Sequence, residues 1–273
     1  MKIGMAQLLV EGGEPERNLG RAEKMIAEAA QQRCDLVLLP EVLDLAWTHP
    51  SAKTEALPIP GPRSDRFCEA ARRHRIWICA GLTEQAKDGV YNTAVLINSS
   101  GEILLKYHKI NLLAVEQPYY RIGQTLRVVE TPWGVVGVNI CADNYIDSVE
   151  IGIVLARMGA QVILVPSAWT VDYHIVEGSN PYGEKWFRPF FTLASLFGLI
   201  VVSASCVGYI VGGPYEGKKL VGGSLCVGPD GTIASGRYNE FAGELAFAEF
   251  AVPVRKEKGT EIGVLLKQRG FYR

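Results

Sequence analysis

The stretch NLGRAEKMIAEAAQQRCDLVLLPE, residues 18–41, sets the architecture of the chain. Leu19, Ala22, Met25, Ile26, Ala29 and Ala30 recur at helical spacing, whereas residues 36–39 are a continuous apolar run closed by Pro40. The segment reads as a helix followed by a buried strand. Outward from it the unit recurs: residues 63–75 carry a helical pattern and 76–81 (IWICAG) form another buried strand. Residues 91–97, the turn Asn98-Ser99-Ser100-Gly101 and residues 102–107 read as a β-hairpin. Residues 126–130 and 135–140 flank the turn Thr131-Pro132-Trp133-Gly134, and the second strand delivers Cys141 at its end.

Further along, Asp147 is expected to cap a helix running to about Met158, followed by a strand over 161–165 that Pro166 stops. A helix over 184–197 ends at Gly198, and a strand follows over 199–204. Later strands cover 222–227 and 244–252, with the turn Pro229-Asp230-Gly231 between them. Helix-strand units mixed with hairpins imply a β-sheet core covered by helices, a layered α/β protein. One domain over 1–273 is expected. The more polar tail, 255–273, reads either as a C-terminal arm or as a frayed end.

With 273 residues and 48% hydrophobic composition the chain can bury a large core. Its net charge of -1 offers no polybasic surface, which argues against nucleic acid or anionic membranes as partners. The N-terminus MKIGMAQLLV alternates like a strand and carries no signal-peptide pattern, and apolar runs fall short of the roughly 20 residues that span a bilayer. A soluble, cytoplasmic protein is expected. Six cysteines, at 34, 68, 79, 141, 206 and 226, lack the C-x-x-C spacing of a disulfide framework or zinc site, so no metal is expected.

Three segments place a reactive side chain at a strand end: Leu38-Leu39-Pro40-Glu41, Tyr107-His108-Lys109-Ile110-Asn111-Leu112, and Val138-Asn139-Ile140-Cys141-Ala142-Asp143. A carboxylate directly after a buried run has its pKa raised unless it is paired, which suits a general base. Taken singly, each residue also has an ordinary reading. Glu41 is then the first loop residue after a strand, Lys109 a solvated strand-end lysine and Cys141 a core thiol.

Taken together, in this order and these contexts, the three segments resemble the nitrilase superfamily of carbon-nitrogen hydrolases. The resemblance extends from KIGMAQL through Tyr91-Asn92-Thr93-Ala94 to Gly222-Gly223-Ser224 and Pro229-Asp230-Gly231. It implies a four-layer αββα sandwich, a Glu41-Lys109-Cys141 triad and a second glutamate at Glu116 that orients Lys109 or the attacking water. It also implies a homodimer or larger homo-oligomer and no cofactor. In chemical terms, a thiol of pKa ~8.5 is mostly protonated at neutral pH and needs a base. Glu41 takes that proton, while Lys109 and the Ala142 N–H stabilise the charge that develops. Ala168 and Trp169, in Pro166-Ser167-Ala168-Trp169, are expected to line the substrate site, with Trp47 and Tyr173 as further candidates. Trp169 equally reads as a cap on the core.

Two positions depart from the family pattern: Ala142 stands where an aromatic residue is usual, and Asn111 where a histidine is frequent. Altered substrate choice is the expected consequence. Cleavage of a small amide or N-carbamoyl amine is the leading expectation, with nitrile hydrolysis, acyl transfer or a non-catalytic scaffold as alternatives. A papain-like pairing fails because the four histidines (49, 74, 108 and 174) sit in unrelated contexts. No H-E-x-x-H or nucleotide-binding glycine motif occurs.

Overall fold

Both N-terminal helix-strand units form, and their strands are apolar on both faces because each face meets a different layer. The computed structural model describes residues 1–174, 180–254 and 268–270. Along them run β1 (Lys2–Gln7), α1 (Pro15–Gln31), β2 (Leu36–Leu38), α2 (Ala52–Glu55), α3 (Pro62–His74), β3 (Trp77–Ala86), β4 (Gly89–Ile97) and β5 (Ile103–His108). Then come β6 (Val128–Thr131), β7 (Gly134–Val138), α4 (Glu150–Arg157), β8 (Val162–Ser167), β9 (Thr170–Val171), α5 (Phe187–Phe197) and β10 (Ile200–Ser205). The chain closes with β11 (Val207–Tyr209), β12 (Lys219–Val221), β13 (Leu225–Gly228), β14 (Gly231–Ser235) and β15 (Glu244–Glu249).

Two six-stranded sheets result, in the orders β15-β1-β2-β3-β4-β5 and β14-β13-β10-β8-β7-β6, with a small sheet β11-β12-β9 beside them. Strands β1, β2 and β3 run parallel, as do β7, β8 and β10, because a helix-bearing crossover joins most of these neighbours. Leu36 and Leu38 face the second sheet, in one core with Leu164 and Val202; Val37 and Leu39 pack outward in a second core with Leu19, Ile26 and Phe67 of α1 and α3. On the far side of the second sheet, Leu155 of α4 and Phe190 and Leu193 of α5 complete the first core. The layers are α, β, β, α.

Several boundaries differ from the sequence reading by a few residues, among them the starts of α5 and β13 and the end of β15, and three differences have a physical reason. Strand β3 continues to Ala86 and makes a hairpin with β4 that the short run 76–81 did not announce. Helix α4 begins at Glu150 behind a separate 3-10 turn over Ile146–Ser148, and Asp147 does not cap it. Pro166 lies inside β8 rather than ending it. The Leu164 carbonyl accepts from Asn139 N–H on the β7 side, so Pro166, two residues on, faces the same way beyond the end of β7, where no ladder needs its missing N–H. Of the expected tail, only 268–270 fall within the described residues. Among the described residues no helix is long and apolar enough to cross a membrane.

Candidate active site

Glu41 follows β2 and is held against β3 by a close backbone approach. A Cβ on Gly81 would stand 2.6 Å from both Glu41 Cα and the Pro40 carbonyl oxygen, so only glycine fits there. Gly81 N–H donates to Pro40 O at 3.0 Å, and Leu43 N–H donates back to Gly81 O at 3.0 Å. Beyond Glu41 the chain coils through left-handed conformations at Val42 (φ 38°), Ala46 (φ 71°) and Thr48 (φ 59°). These are strained for side chains with a Cβ, and the β-branched Val42 and Thr48 most of all. Fully buried Asp44 pins the coil: Oδ1 accepts from Thr83 N–H (3.0 Å) and hydroxyl (3.1 Å), and Oδ2 from the Arg63 guanidinium (2.8 Å).

Lys109 follows β5, and its side chain is 1% exposed. Its ammonium donates to Glu41 Oε1 at 2.8 Å and to Glu116 Oε1 and Oε2 at 2.8 and 2.9 Å. Asn92 Nδ2 donates to Glu41 Oε1 at 2.7 Å. Trp47 Nε1 and Leu113 N–H each donate to Glu116 at 2.8 Å. Glu41 Oε2 is buried and has no hydrogen-bond partner among the described residues. Burial pushes the Glu41 carboxyl above the ordinary carboxylate range; Lys109 opposes the shift without cancelling it, and the charge of Glu116 adds to it. Burial alone would discharge Lys109, but Glu116 and Glu41 outweigh it and hold the ammonium well above its usual pKa.

Cys141 opens a 3-10 turn, Cys141–Asn144, just beyond β7, and takes a left-handed φ of 42°. A sharp turn at a strand end turns the side chain away from the sheet. Asp143 anchors the turn, its Oδ2 accepting from the Tyr107 hydroxyl (2.6 Å) and Ile140 N–H (2.8 Å) and its Oδ1 from Asn111 N–H (2.7 Å). Burial lifts the Asp143 pKa to about 6 against these hydrogen bonds. The Ala142 carbonyl accepts from Asn111 Nδ2 and the Ser148 hydroxyl, both at 2.7 Å. Asn111 is therefore a clamp on the cysteine turn. Burial raises the Cys141 thiol well above its usual value, with the Glu41 charge adding and Lys109 and the Ala168 N–H opposing.

Cys141 faces a pocket of about 300 Å³ whose walls include Trp47, Ala168, Trp169, Tyr145 and Lys185. Of the residues expected to contact substrate, Trp47, Ala168 and Trp169 line it, whereas Ala142 does not: its side chain is wholly buried under the turn. Trp169 is both wall and core, 1% exposed and stacked on Trp186 at 4.6 Å. Tyr173 is 75% exposed and outside the pocket lining. A second pocket, of about 360 Å³, shares Trp169, Tyr182 and Trp186 with the first but is lined by none of Glu41, Lys109 and Cys141. The chemistry places the candidate site in the smaller one. Sequence reasoning missed Asn92, Asp143, Tyr145 and Lys185 as site residues; the one available signal was Asn92, a polar side chain on a strand otherwise suited to burial. Among the described residues no group of three or more His, Cys, Asp or Glu is placed to hold a metal ion.

The fold is that of the nitrilase-superfamily amidases. A mutant of the amidase from Nesterenkonia sp. AN1, seen after Michael addition of acrylamide at its own active-site cysteine, superposes with a TM-score of 0.78 at 21% identity over 100% of both chains. The chain belongs to the carbon-nitrogen hydrolase family, whose profile matches residues 2–257. It is 30% identical to a nitrilase of Pyrococcus abyssi (strain GE5 / Orsay) over 275 residues, 98% of this chain and 97% of that one. It is also 31% identical over 184 residues to the chloroplastic omega-amidase of Arabidopsis thaliana. That match takes in 62% of this chain and 49% of the plant protein, so the chain spans about half the length of that relative.

Proposed function

We propose that the protein hydrolyses a non-peptide carbon-nitrogen bond of a small amide or N-carbamoyl amine through a thioester at Cys141. The observation that carries this reading is the burial of Glu41 and Glu116 on the single ammonium of Lys109, behind a pocket onto which Cys141 opens. Sγ attacks the carbonyl carbon as Glu41 accepts the thiol proton, for which its unpartnered Oε2 is free. The oxyanion that forms is met by the Lys109 ammonium and the Ala142 N–H, a donor at the start of a turn with no partner inside it. Collapse breaks the C–N bond as Glu41 hands its proton to the departing nitrogen, and ammonia or an amine leaves. Water then attacks the thioester with Glu41 again as base, releasing the acid and the thiol. Glu116 holds Lys109 in place with two hydrogen bonds.

The nitrilase relative that matches nearly end to end favours a second reading, in which the electrophile is a nitrile. The same proposal treats the chain as one domain, located in the cytoplasm, that works as a homodimer or larger homo-oligomer without a cofactor. The test is release of ammonia and acid over panels of amides, carbamoyl amines and nitriles, run beside Cys141→Ala. Turnover falling by at least about 10³-fold in the variant is expected. Activity surviving Cys141→Ala, or a covalent adduct on another cysteine by intact mass, overturns the assignment.

A further inference from the structure

We propose that Asn139 and Asn144 are positioning residues for the reaction: their paired side-chain amides hold the Cys141–Ala142 peptide so that its N–H stays aimed at the oxyanion. The inference rests on the hydrolase reading and adds a device that the Glu41-Lys109-Cys141 triad leaves out.

The two asparagines flank the nucleophile, Asn139 just beyond β7 and Asn144 closing the cysteine turn, and both are fully buried. Asn139 Nδ2 donates to Asn144 Oδ1 at 3.0 Å, and Asn144 Nδ2 donates back to Asn139 Oδ1 at 2.9 Å. Asn144 Nδ2 also donates to the Cys141 carbonyl oxygen at 3.3 Å. An amide nitrogen has two protons, so this one atom serves both acceptors. A carbonyl only accepts, so the Asn144 atom facing it must be the nitrogen, and the reciprocal pair then fixes which way Asn139 is turned. Asn139 is itself anchored, its backbone N–H donating to Leu164 O of β8 at 3.2 Å. The grip thus runs from the sheet, through two amides, to the peptide beside the reacting sulfur.

The Cys141 carbonyl and the Ala142 N–H belong to one planar unit, so holding the oxygen sets the direction of the hydrogen on its opposite side. The local backbone needs that hold. Cys141 takes a left-handed φ of 42°, where a residue with a Cβ is strained and persists only if its surroundings fix it. The turn's other anchors act elsewhere: Asp143 accepts from Ile140 and Asn111 N–H, while Asn111 and Ser148 donate to the Ala142 carbonyl, which belongs to the following peptide. Donation to Cys141 O also polarises its peptide, which makes the Ala142 N–H a stronger donor as negative charge arrives on the substrate oxygen. A pair that only filled this space could be two leucines, since replacing both partners of a buried hydrogen bond by apolar groups of like shape is nearly neutral for stability.

The experiment compares Asn139→Leu, Asn144→Leu and the double variant with wild type, in the full chain, and stability and activity should part company. Each single variant leaves one amide buried and unpaired, so each should melt below the double variant. Activity should follow Asn144 instead. Losing an oxyanion donor outright costs about 10²–10³-fold, so misaiming it should lower kcat about 10- to 100-fold in Asn144→Leu and in the double variant. On the fastest substrate of the panel KM should hardly move, and Asn139→Leu, which keeps the Asn144 donor, should lose only about threefold in kcat. Propanal gives a second readout: it adds to the thiol, the S–C bond forming as the C=O π bond opens and the thiol proton ending on the oxygen, which then sits where the oxyanion would. Its dissociation constant, read from protection of Cys141 against iodoacetamide by peptide mass, should rise about 10- to 100-fold in Asn144→Leu. Unchanged kcat in Asn144→Leu, or activity that follows melting temperature across the variants, overturns the proposal. If the double variant does not fold, the singles decide, and equal losses of kcat refute it. Absence of turnover on every amide, carbamoyl amine and nitrile would instead sink the hydrolase reading. The propanal constants then decide the positioning alone: no protection, or equal constants in wild type and Asn144→Leu, refutes it.

Discussion

Glu41 has one oxygen saturated by Lys109 and Asn92 and the other bare. Its raised pKa comes from burial first, with the negative charge of Glu116 pushing the same way. A general base must be ionised to work, so kcat/KM should climb with pH through the Glu41 pKa and level off above it. Removing the Glu116 charge removes one of the influences that favour protonated Glu41. Glu116→Gln should therefore move the ascending limb to lower pH while lowering the plateau, since Lys109 loses an ion-pair partner. A limb that stays in place or moves up in a pH-rate profile counts against Glu41 as the base. Glu41→Gln removes the base and should cost about 10²–10⁴-fold in turnover with folding retained, as checked by circular dichroism beside the ammonia assay. Glu41 and Lys109 stood out in the sequence as reactive side chains at strand ends, but it was the order of the three segments and their resemblance to the family that singled them out and that supplied Glu116. Asn92 left only the signal of a polar side chain on a buried strand, and Asp143 left none: a turn aspartate looks ordinary until the fold brings Tyr107 to it.

The loop that carries Glu41 and Trp47 is strained, and its shape is imposed by neighbouring elements. Left-handed backbone at Val42, Ala46 and Thr48 costs on the order of 1–3 kcal/mol per residue and persists only where the surroundings over-determine it. Asp44 supplies that constraint through three hydrogen bonds to Thr83 and Arg63, and Gly81 through its lack of a side chain. Asp44→Ala leaves Arg63, whose side chain is 10% exposed, with a largely buried charge and no partner, a loss of about 3–5 kcal/mol by analogy with other broken buried pairs. Equilibrium denaturation should report that loss, and turnover should fall with it as Glu41 and Trp47 lose their register. Stability within about 0.5 kcal/mol of wild type would mean the loop is held by something else. The hydrophobic pattern announced the strand before this loop and said nothing of the loop, because left-handed φ at non-glycine residues has no local sequence signal. Pro166 misled in the opposite direction: a proline reads as a strand stop unless one knows which ladder it faces.

The site exists only where the two sheets meet. Glu41 and Lys109 follow β2 and β5 of one sheet, Cys141 and Ala168 follow β7 and β8 of the other, and Glu41 N–H donates to Ser167 O at 3.3 Å across the seam. Periodicity could forecast each strand but not this pairing of sheets, which the family resemblance supplied. The outer surface of the second sheet's helices remains. Helix α5 divides its residues between two duties: Phe190 and Leu193 are fully buried, whereas Phe191 is 36% exposed. Helix α4 presents Val154 at 42% exposed and Met158 next to it at 38%. Large apolar side chains grouped on an outer helical layer are a liability in a monomer and a resource in a dimer. If this layer pairs two copies, charge placed on it should break the pair and leave each fold intact. Val154→Lys with Phe191→Lys should weaken self-association by about 100-fold, roughly 3 kcal/mol. Light scattering after size exclusion should then read a monomer where wild type reads a dimer, with the melting temperature measured alongside to confirm folding. A wild type that is already monomeric at micromolar concentration, or a double variant that stays dimeric, would assign the helical face no part in assembly.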